Sequence, residues 1–427
     1  MKRQKLLGLA AAGALLTAGT AHSQDIEVGH LADLTGATSA IGVEYALGVR
    51  HALEWLNEQG GVDGRQINFE TVDYSYQAPR AVSTYRRWAG RGVVSILGWG
   101  TADTEALVDS VTQDEIPYIS ASYAGTLTDP TGDAPRSTKG APYNFFYGPS
   151  YSDACRGLVS WAADDWAEQG EDRAPRFVHM GANHPFPNSP KAACAEYAEE
   201  LGFEVLSEIT YSLAPEDFSS QCLTLNRNEA DYAYIANTVD STTSLLNACA
   251  GAEVDVQFLS GVWGLDENVM RSAGQNADGV VLAVRTGATW TDTDVPGIQL
   301  INEISDMQDE TGEMYRPLSY LAGVCASMYM AEAMEIAAES GDITGPAIRD
   351  AFYERSDWVP EGFEGVCLPS NWSPEDHRGM MTVPIYRASV TEDVQGREVR
   401  ELIDAGAMEL QHLTTVELPR REEWLGY

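Results

Sequence analysis

The sequence predicts an α/β chain folded as two doubly wound domains with parallel central sheets. Three observations carry that reading. Short apolar, β-branched runs alternate with stretches whose apolar residues recur every three or four positions, the pattern of parallel strands covered by helices. The alternation runs once through residues 26–147 and begins again at residue 176. The 427 residues leave room for two or three domains of about 150 residues each.

Residues 26–30 form a strand that leads into a loop at 31–42, centred on Thr35 and Gly36. Residues 45–59 read as a helix with Ala46, Val49, Ala52, Leu53 and Leu56 on one face, stopped by Gly60 and Gly61. A strand at 66–73 and a helix at 78–90 follow. Val93, Val94, Ile96 and Leu97 then make a short buried strand. It runs into Gly98, Trp99, Gly100, Thr101, Ala102 and Asp103, where small residues permit a sharp turn. A third helix takes over at 103–113, and a strand at 116–120 ends in Ser120, Ala121, Ser122, Tyr123, Ala124 and Gly125. Residues 143–147 form a strand that crosses out of this unit, and 153–169 a helix. The second round has strands at 176–180, 204–210, 232–236, 257–260 and 280–284, with helices at 189–201, 217–226 and 242–251. A long helix at 319–338 and a shorter one at 345–353 come next. The tail, with strands near 363–367 and 382–387, is read as crossing back between the domains. The domains so drawn are residues 24–146 with part of 268–380, and 147–267 with part of 340–427.

The formal charge is −37, with 44% hydrophobic residues and ten Trp. Such a chain buries a large core, which excludes disorder. Its charge speaks against nucleic acid or an anionic membrane surface as partner. It leaves open an anionic small ligand, because donors inside a cleft decide that. Residues 1–23 read as a signal peptide: Lys2, Arg3 and Lys5 precede an apolar run at 6–16, with small residues and a cleavage site near Ala21–Gln24. No Cys ends the run, so a lipoprotein is not expected, and no later stretch reads as a membrane span. A soluble, exported, monomeric protein of the periplasm is the expectation. Six Cys in an exported chain favour disulfides, with fifteen connectivities possible. Cys222–Cys249 and Cys155–Cys194, each joining neighbouring helices, are the preferred pairs.

In doubly wound sheets, ligands bind outside the carboxyl ends of the strands. Both hydroxyl-bearing turns, 98–103 and 120–125, lie at such ends. A helix that starts at Thr101 or Asp103 adds backbone N–H groups and a positive dipole end, suited to a carboxylate. No GxSxG, HExxH, Walker or EF-hand pattern occurs, and His184 has no nucleophile or acid spaced to form a triad. Neither an enzyme, a cofactor nor a metal is expected.

Several stretches together resemble the solute-binding proteins of branched-chain amino acid type ABC importers, which have the type I periplasmic-binding-protein fold. They are Leu34-Thr35-Gly36 with Gly42 and Gly48, the run from Asn57 to Gly64, Ile96-Leu97-Gly98, the run from Ile116 to Ser120, the Tyr320 helix, and Asp376-His377-Arg378-Gly379. The resemblance covers nearly the whole chain after the signal peptide. It implies a ligand held between two lobes that close by hinge motion, and delivery to ABC permease subunits. In the first lobe it implies contacts from Trp99, Gly100, Thr101 and Ala102, and from Ser122, Tyr123 and Ala124. In the second it points to Asn183 and Phe186, to Thr238 and Asp240, and to the loop carrying Trp263. Tyr151 joins them as an aromatic on a cleft loop.

One departure matters. Amino-acid binders of the family carry an acidic residue after the strand matching 257–260, where it pairs with the ligand ammonium. Here that place reads Ser260-Gly261-Val262-Trp263-Gly264, and only Asp240 or Asp266 stands near enough to substitute. An aromatic-lined pocket instead suits an aromatic or apolar acid, an amide, or a cation held by ring faces. Against these stand blander readings: Thr101 and Ser122 as turn hydroxyls, Asp240 as a helix cap, and Arg285 as one half of a surface ion pair rather than a carboxylate anchor. The function expected is capture of a small organic ligand for an importer, with ligand sensing through a receptor as the alternative.

Overall fold

The computed structural model describes residues 25–309, 311 and 314–427; the expected signal peptide and cleavage site lie outside them. The first sheet is made by β1 (Ile26–Ala32), β2 (Ile67–Asp73), β3 (Ser95–Gly98), β4 (Tyr118–Ser120) and β5 (Asn144–Phe146). Its order is β2-β1-β3-β4-β5, and every pairing is parallel. Strand order reverses between β1 and β3, so a crevice opens where Ala32 and Gly98 end. Helices α1 (Ser39–Glu58), α2 (Ala78–Ala89) and α3 (Thr101–Asp114) connect these strands.

Helix α1 starts six residues before the sequence reading placed it. Gly42, taken there as loop, lies inside the helix because a Cβ at that position would collide with the Asp33 carbonyl. The turn from β3 into α3 has a similar cause. A side chain on Gly98 would strike the Tyr118 ring, and one on Gly100 would strike Asp103 and the Tyr76 ring. Asp103 anchors that turn from within the first turn of α3, accepting hydrogen bonds from Tyr74 Oη at 2.7 Å and Tyr118 Oη at 3.4 Å.

Helix α4 (Tyr151–Gln169), capped by Ser150, opens the second unit. Its elements follow as β6 (Arg176–Gly181), α5 (Pro185–Asn188), α6 (Lys191–Glu200), β7 (Glu204–Val205), β8 (Ile209–Thr210) and α7 (Ser219–Arg227), then β9 (Tyr232–Ala236), α8 (Val239–Gly251), β10 (Gln257–Ser260), α9 (Glu267–Ala273) and β11 (Val281–Ala283). The chain continues through α10 (Pro296–Asp306), α11 (Leu318–Ser340) and α12 (Gly345–Ala351) to β12 (Thr382–Val390), α13 (Val399–Asp404) and β13 (Met408–Glu417). The sheet order is β13-β12-β11-β10-β9-β6-β7, with β8 also paired to β6. Strands β6 to β11 run parallel, and β12 and β13 extend the sheet antiparallel. The strand expected at 204–210 is thus two short ones. The strand expected at 363–367 is absent: Gly362 and Gly365, both at φ +84°, turn the chain there and leave a single bridge, Glu364 to Cys367.

Helix α11 returns to the first unit. By length and composition it could cross a membrane, contrary to the sequence reading, yet 83% of its most apolar window is buried inside the protein. Its apolarity is that of a core helix. It crosses α1 at backbone contact, where a Cβ on Gly323 would collide with the Tyr45 carbonyl and one on Gly48 with the Tyr320 carbonyl. His51 and Tyr320 pair across the same seam at 2.9 Å. Three disulfides brace the chain: the two expected ones, Cys155–Cys194 and Cys222–Cys249, and Cys325–Cys367, with Cα separations of 5.6, 4.9 and 5.6 Å.

Two expected outcomes follow from this packing. Gly323→Ala destabilises the protein by about 1–3 kcal/mol through overpacking, although Ala is the better helix former; urea unfolding measures it, and a stabilised variant contradicts the tight crossing. Burial raises the Asp103 pKa from 3.8 to about 7, so the fold holds this proton more tightly than the unfolded chain does. Its contribution is full below about pH 4 and is lost as pH rises to about 7. Asp103→Asn removes that dependence. Relative to the parent, it therefore gains about 1.4 kcal/mol of stability per pH unit across that window, read from melts at pH 4.5, 6 and 7.5.

Candidate ligand-binding cleft

The carboxyl edges of the two sheets face one another across a cavity of about 20 Å³. From the first unit it is lined by Thr38, Ile41, Tyr76, Trp99, Gly100, Thr101 and Ala121. Tyr151, at the start of α4, and Phe186, Thr238 and Trp263 complete the lining. The space is small because rings fill it. Trp263 reaches across from the turn after β10, its ring 5.2 Å from that of Trp99, 5.4 Å from Tyr123 and 6.0 Å from Tyr45. Its indole N–H donates to Tyr151 Oη at 3.2 Å. Nearby, Trp99 donates to Thr38 Oγ1 at 2.8 Å, and His184 stacks on Tyr76 at 5.2 Å. A space of this size admits one water molecule, so an organic ligand enters only when these rings part.

Seven expected residues line the cavity: Trp99, Gly100, Thr101, Tyr151, Phe186, Thr238 and Trp263. Ser122 stands one bond behind, donating to Thr101 Oγ1 at 2.8 Å, and Tyr123 backs the Trp263 ring. Ala102 lies within the first turn of α3, and Ala124 is buried ahead of a short 3₁₀ turn at Gly125–Leu127. Asn183 and Asp240 are exposed and lie outside the cavity. Asn183 accepts from Asn188 instead, and Asp240 sits in the first turn of α8 behind the capping position, Thr238.

Sequence reasoning missed Thr38, Ile41, Tyr45 and Tyr76. The first three follow from the early start of α1, whose buried face includes Ile41 and Tyr45 at helical spacing. Tyr76 follows Ser75, and both take left-handed backbone at φ +54° and +52°; bulky residues seldom do so, and no local signal announces it. Two larger hollows, of about 660 and 450 Å³, flank residues 287–295 and share no residue with the expected site. Among the described residues no cluster of His, Cys, Asp or Glu is arranged to hold a metal ion.

Arg285, just beyond β11, corrects the surface-pair reading. It is 2% exposed and forms no ion pair among the described residues. Its guanidinium carbon lies 3.8 Å from the centre of the Trp263 ring, Nη1 donates to the Val262 carbonyl, and Nε has no partner. Burial lowers its pKa. Of the neighbouring acids, Glu267 is engaged through both oxygens and Asp266 through one, its Oδ2 having no partner. Asp266 Oδ1 caps α9 by accepting from Asn268 N and Val269 N at 3.0 and 3.1 Å, and burial raises the carboxyl's pKa. Glu267, raised by burial to about 7, accepts from Tyr315 Oη at 2.8 Å and Leu318 N at 3.3 Å.

Known proteins share this architecture. A substrate-binding protein of an ABC transporter from Aeropyrum pernix superposes with a TM-score of 0.76 at 27% identity, covering 94% of this chain and 98% of that one. A branched-chain amino acid ABC transporter protein from Thermus thermophilus with bound valine gives 0.76 at 19% identity, covering 92% and 97%. The Leu/Ile/Val-binding protein BraC3 of Rhizobium johnstonii is 28% identical over 135 residues, which are 32% of this chain and 34% of that protein's length. The sequence profile of the periplasmic binding protein family matches residues 25–395, and the chain belongs to that family.

Proposed function

We propose that the protein is an exported solute-binding protein that captures a small organic ligand between its two units and presents it to the permease of an ABC importer. The observation that carries this reading is the meeting of Trp263, from the second unit, with Trp99, Tyr45 and Tyr123 of the first at the carboxyl edges of the two sheets. No covalent chemistry is required of such a site. Rings bury the apolar body of the ligand, hydroxyls and amides around Thr101 and Ser122 orient it, and closure excludes water. Segments at 147–150, 284–295 and 352–381 pass between the units, as does the tail after β13, and we place the hinge in the first three. Export to the periplasm belongs to the same reading.

The test is a thermal-shift screen of the processed chain against amino acids, aromatic acids, amides and quaternary amines. A ligand present at 100 times its Kd stabilises the fold by about 2.7 kcal/mol, and the expected outcome is a raised melting temperature with one of these classes. Binding also changes tryptophan fluorescence, because Trp99 and Trp263 must part to admit the ligand. Trp99→Ala weakens the ligand that scores by at least about tenfold, as loss of a buried aromatic wall implies. A flat response to every class removes the capture reading.

A further inference from the structure

We propose that Arg285 is the second unit's anchor for the ligand, and that the ligand it selects is an organic acid without an ammonium group, its carboxylate pairing with the guanidinium once Trp263 swings aside. The inference rests on the capture reading above and gives it a ligand class.

Arg285 is a buried charge met by the face of the Trp263 ring and by no carboxylate among the described residues. A guanidinium offers five N–H donors in a planar fork. Here one contact goes to the Val262 carbonyl, and Nε, fully enclosed, meets no acceptor. Leaving a buried charge uncompensated is expensive, and an apolar residue of similar size would pack against Trp263 without that expense. The two acids whose fields reach Arg285 do not neutralise it by contact. Asp266 caps a helix through Oδ1 alone, its Oδ2 buried without a partner, and Glu267 holds Tyr315 and the start of α11.

Its place in the fold is equally specific. Strand β11 pairs with β10 in parallel, Ser260 opposite Leu282. Arg285 and Trp263 therefore project from adjacent strand ends on the edge where such sheets take ligands. Trp263 lines the cavity and lies directly over the guanidinium, so the ring is a cover. When it moves, Arg285 becomes the floor of the second unit's side. Tyr45 supplies a further unpartnered buried hydroxyl within reach of the Arg285 field. Trp99 and Tyr123 remain as walls for an apolar body. A carboxylate fits this arrangement because a guanidinium binds it bidentately. An ammonium would have to be met by Asp266, whose Oδ2 is buried without a partner, and the Asp266→Asn arm below tests that case.

The experiment is isothermal titration of the processed chain with 4-methylpentanoate, phenylacetate and glutarate, each beside its own amide, and with L-leucine. The same series is run on Arg285→Gln, Arg285→Lys and Asp266→Asn. The expected result is that at least one acid binds and its amide binds at least about tenfold more weakly. Arg285→Gln then loses about ten- to a hundredfold in affinity, and Arg285→Lys loses less. Unliganded Arg285→Gln melts close to the parent, because relief of a buried charge offsets the lost contact with the Trp263 ring; a purely structural arginine would lower it markedly. Equal binding of acid and amide overturns the proposal, as does unchanged affinity in Arg285→Gln. So does L-leucine binding that is lost in Asp266→Asn and retained in Arg285→Gln. A protein that answers the broad screen with a class other than acids loses this inference and keeps the capture reading. One that answers neither loses both.

Discussion

The crossing of α1 and α11 at Gly48 and Gly323 is the contact on which the rest of the molecule depends. By residue 283 the chain has built one sheet and most of a second. It then has to return to the first, and it does so with a helix so apolar that only a core accommodates it. Two helices without Cβ atoms at the crossing approach to backbone distance, which fixes where α11 lies and hence where the second and third connections pass between the units. Helix α12 is held by the same economy of space: a side chain on Gly345 would collide with the Glu115 carbonyl at the end of α3. Phe352 beyond it stacks on Phe145 of β5 at 4.2 Å. The first unit is therefore completed by residues some 200 positions away from its own strands.

The cleft inherits its shape from this arrangement and its chemistry from strand ends. On one side, Gly98 and Gly100 let Tyr118, Tyr74 and Tyr76 crowd the β3–α3 turn, and Asp103 binds two of those hydroxyls. On the other, Gly261 and Gly264 bend the chain after β10. Gly261 lies against the Tyr234 hydroxyl and Gly264 against the Ser260 hydroxyl, too close for a Cβ. Both turns therefore present an indole, Trp99 or Trp263, from a backbone that other side chains have pressed into place. The two indoles meet face to tilted face at 5.2 Å, and their contact accounts for how little space is left.

Much of this was legible in the sequence, for reasons that differ from element to element. The alternation of strands and helices is a periodic signal repeated over hundreds of residues, so the two α/β units emerge from it. Thr101 was expected at the cleft because strand ends are predictable, and Trp263 because its loop resembles a cleft loop of the family and glycines mark a sharp turn there; both line the cavity. The start of α1 was missed because Gly36 and Gly42 look like loop residues until the Asp33 carbonyl beside Gly42 is known. Strand β13 was missed because it is the exposed outer edge of its sheet and carries few apolar residues to mark it. Tyr45 is an ordinary buried helix residue by its spacing, and only the placement of the second unit makes it part of the cleft. Arg285 was read as a surface residue because arginine usually is one. Its burial arises from residues 262–263 folding over it, which no window around position 285 contains.

The cross-links have a mechanical consequence. Cys155–Cys194 ties α4 to α6, Cys222–Cys249 ties α7 to α8, and Cys325–Cys367 ties α11 to the turn that precedes β12. None joins a rim of the cleft to the opposite rim. What holds the rims together is noncovalent: a ring stack at Tyr76 and His184, an indole among rings, and single hydrogen bonds such as Gly125 N to Ser189 Oγ. Oxidation of the cysteines therefore stiffens the second jaw twice, ties the first to one of the crossing segments, and leaves the mouth unstapled.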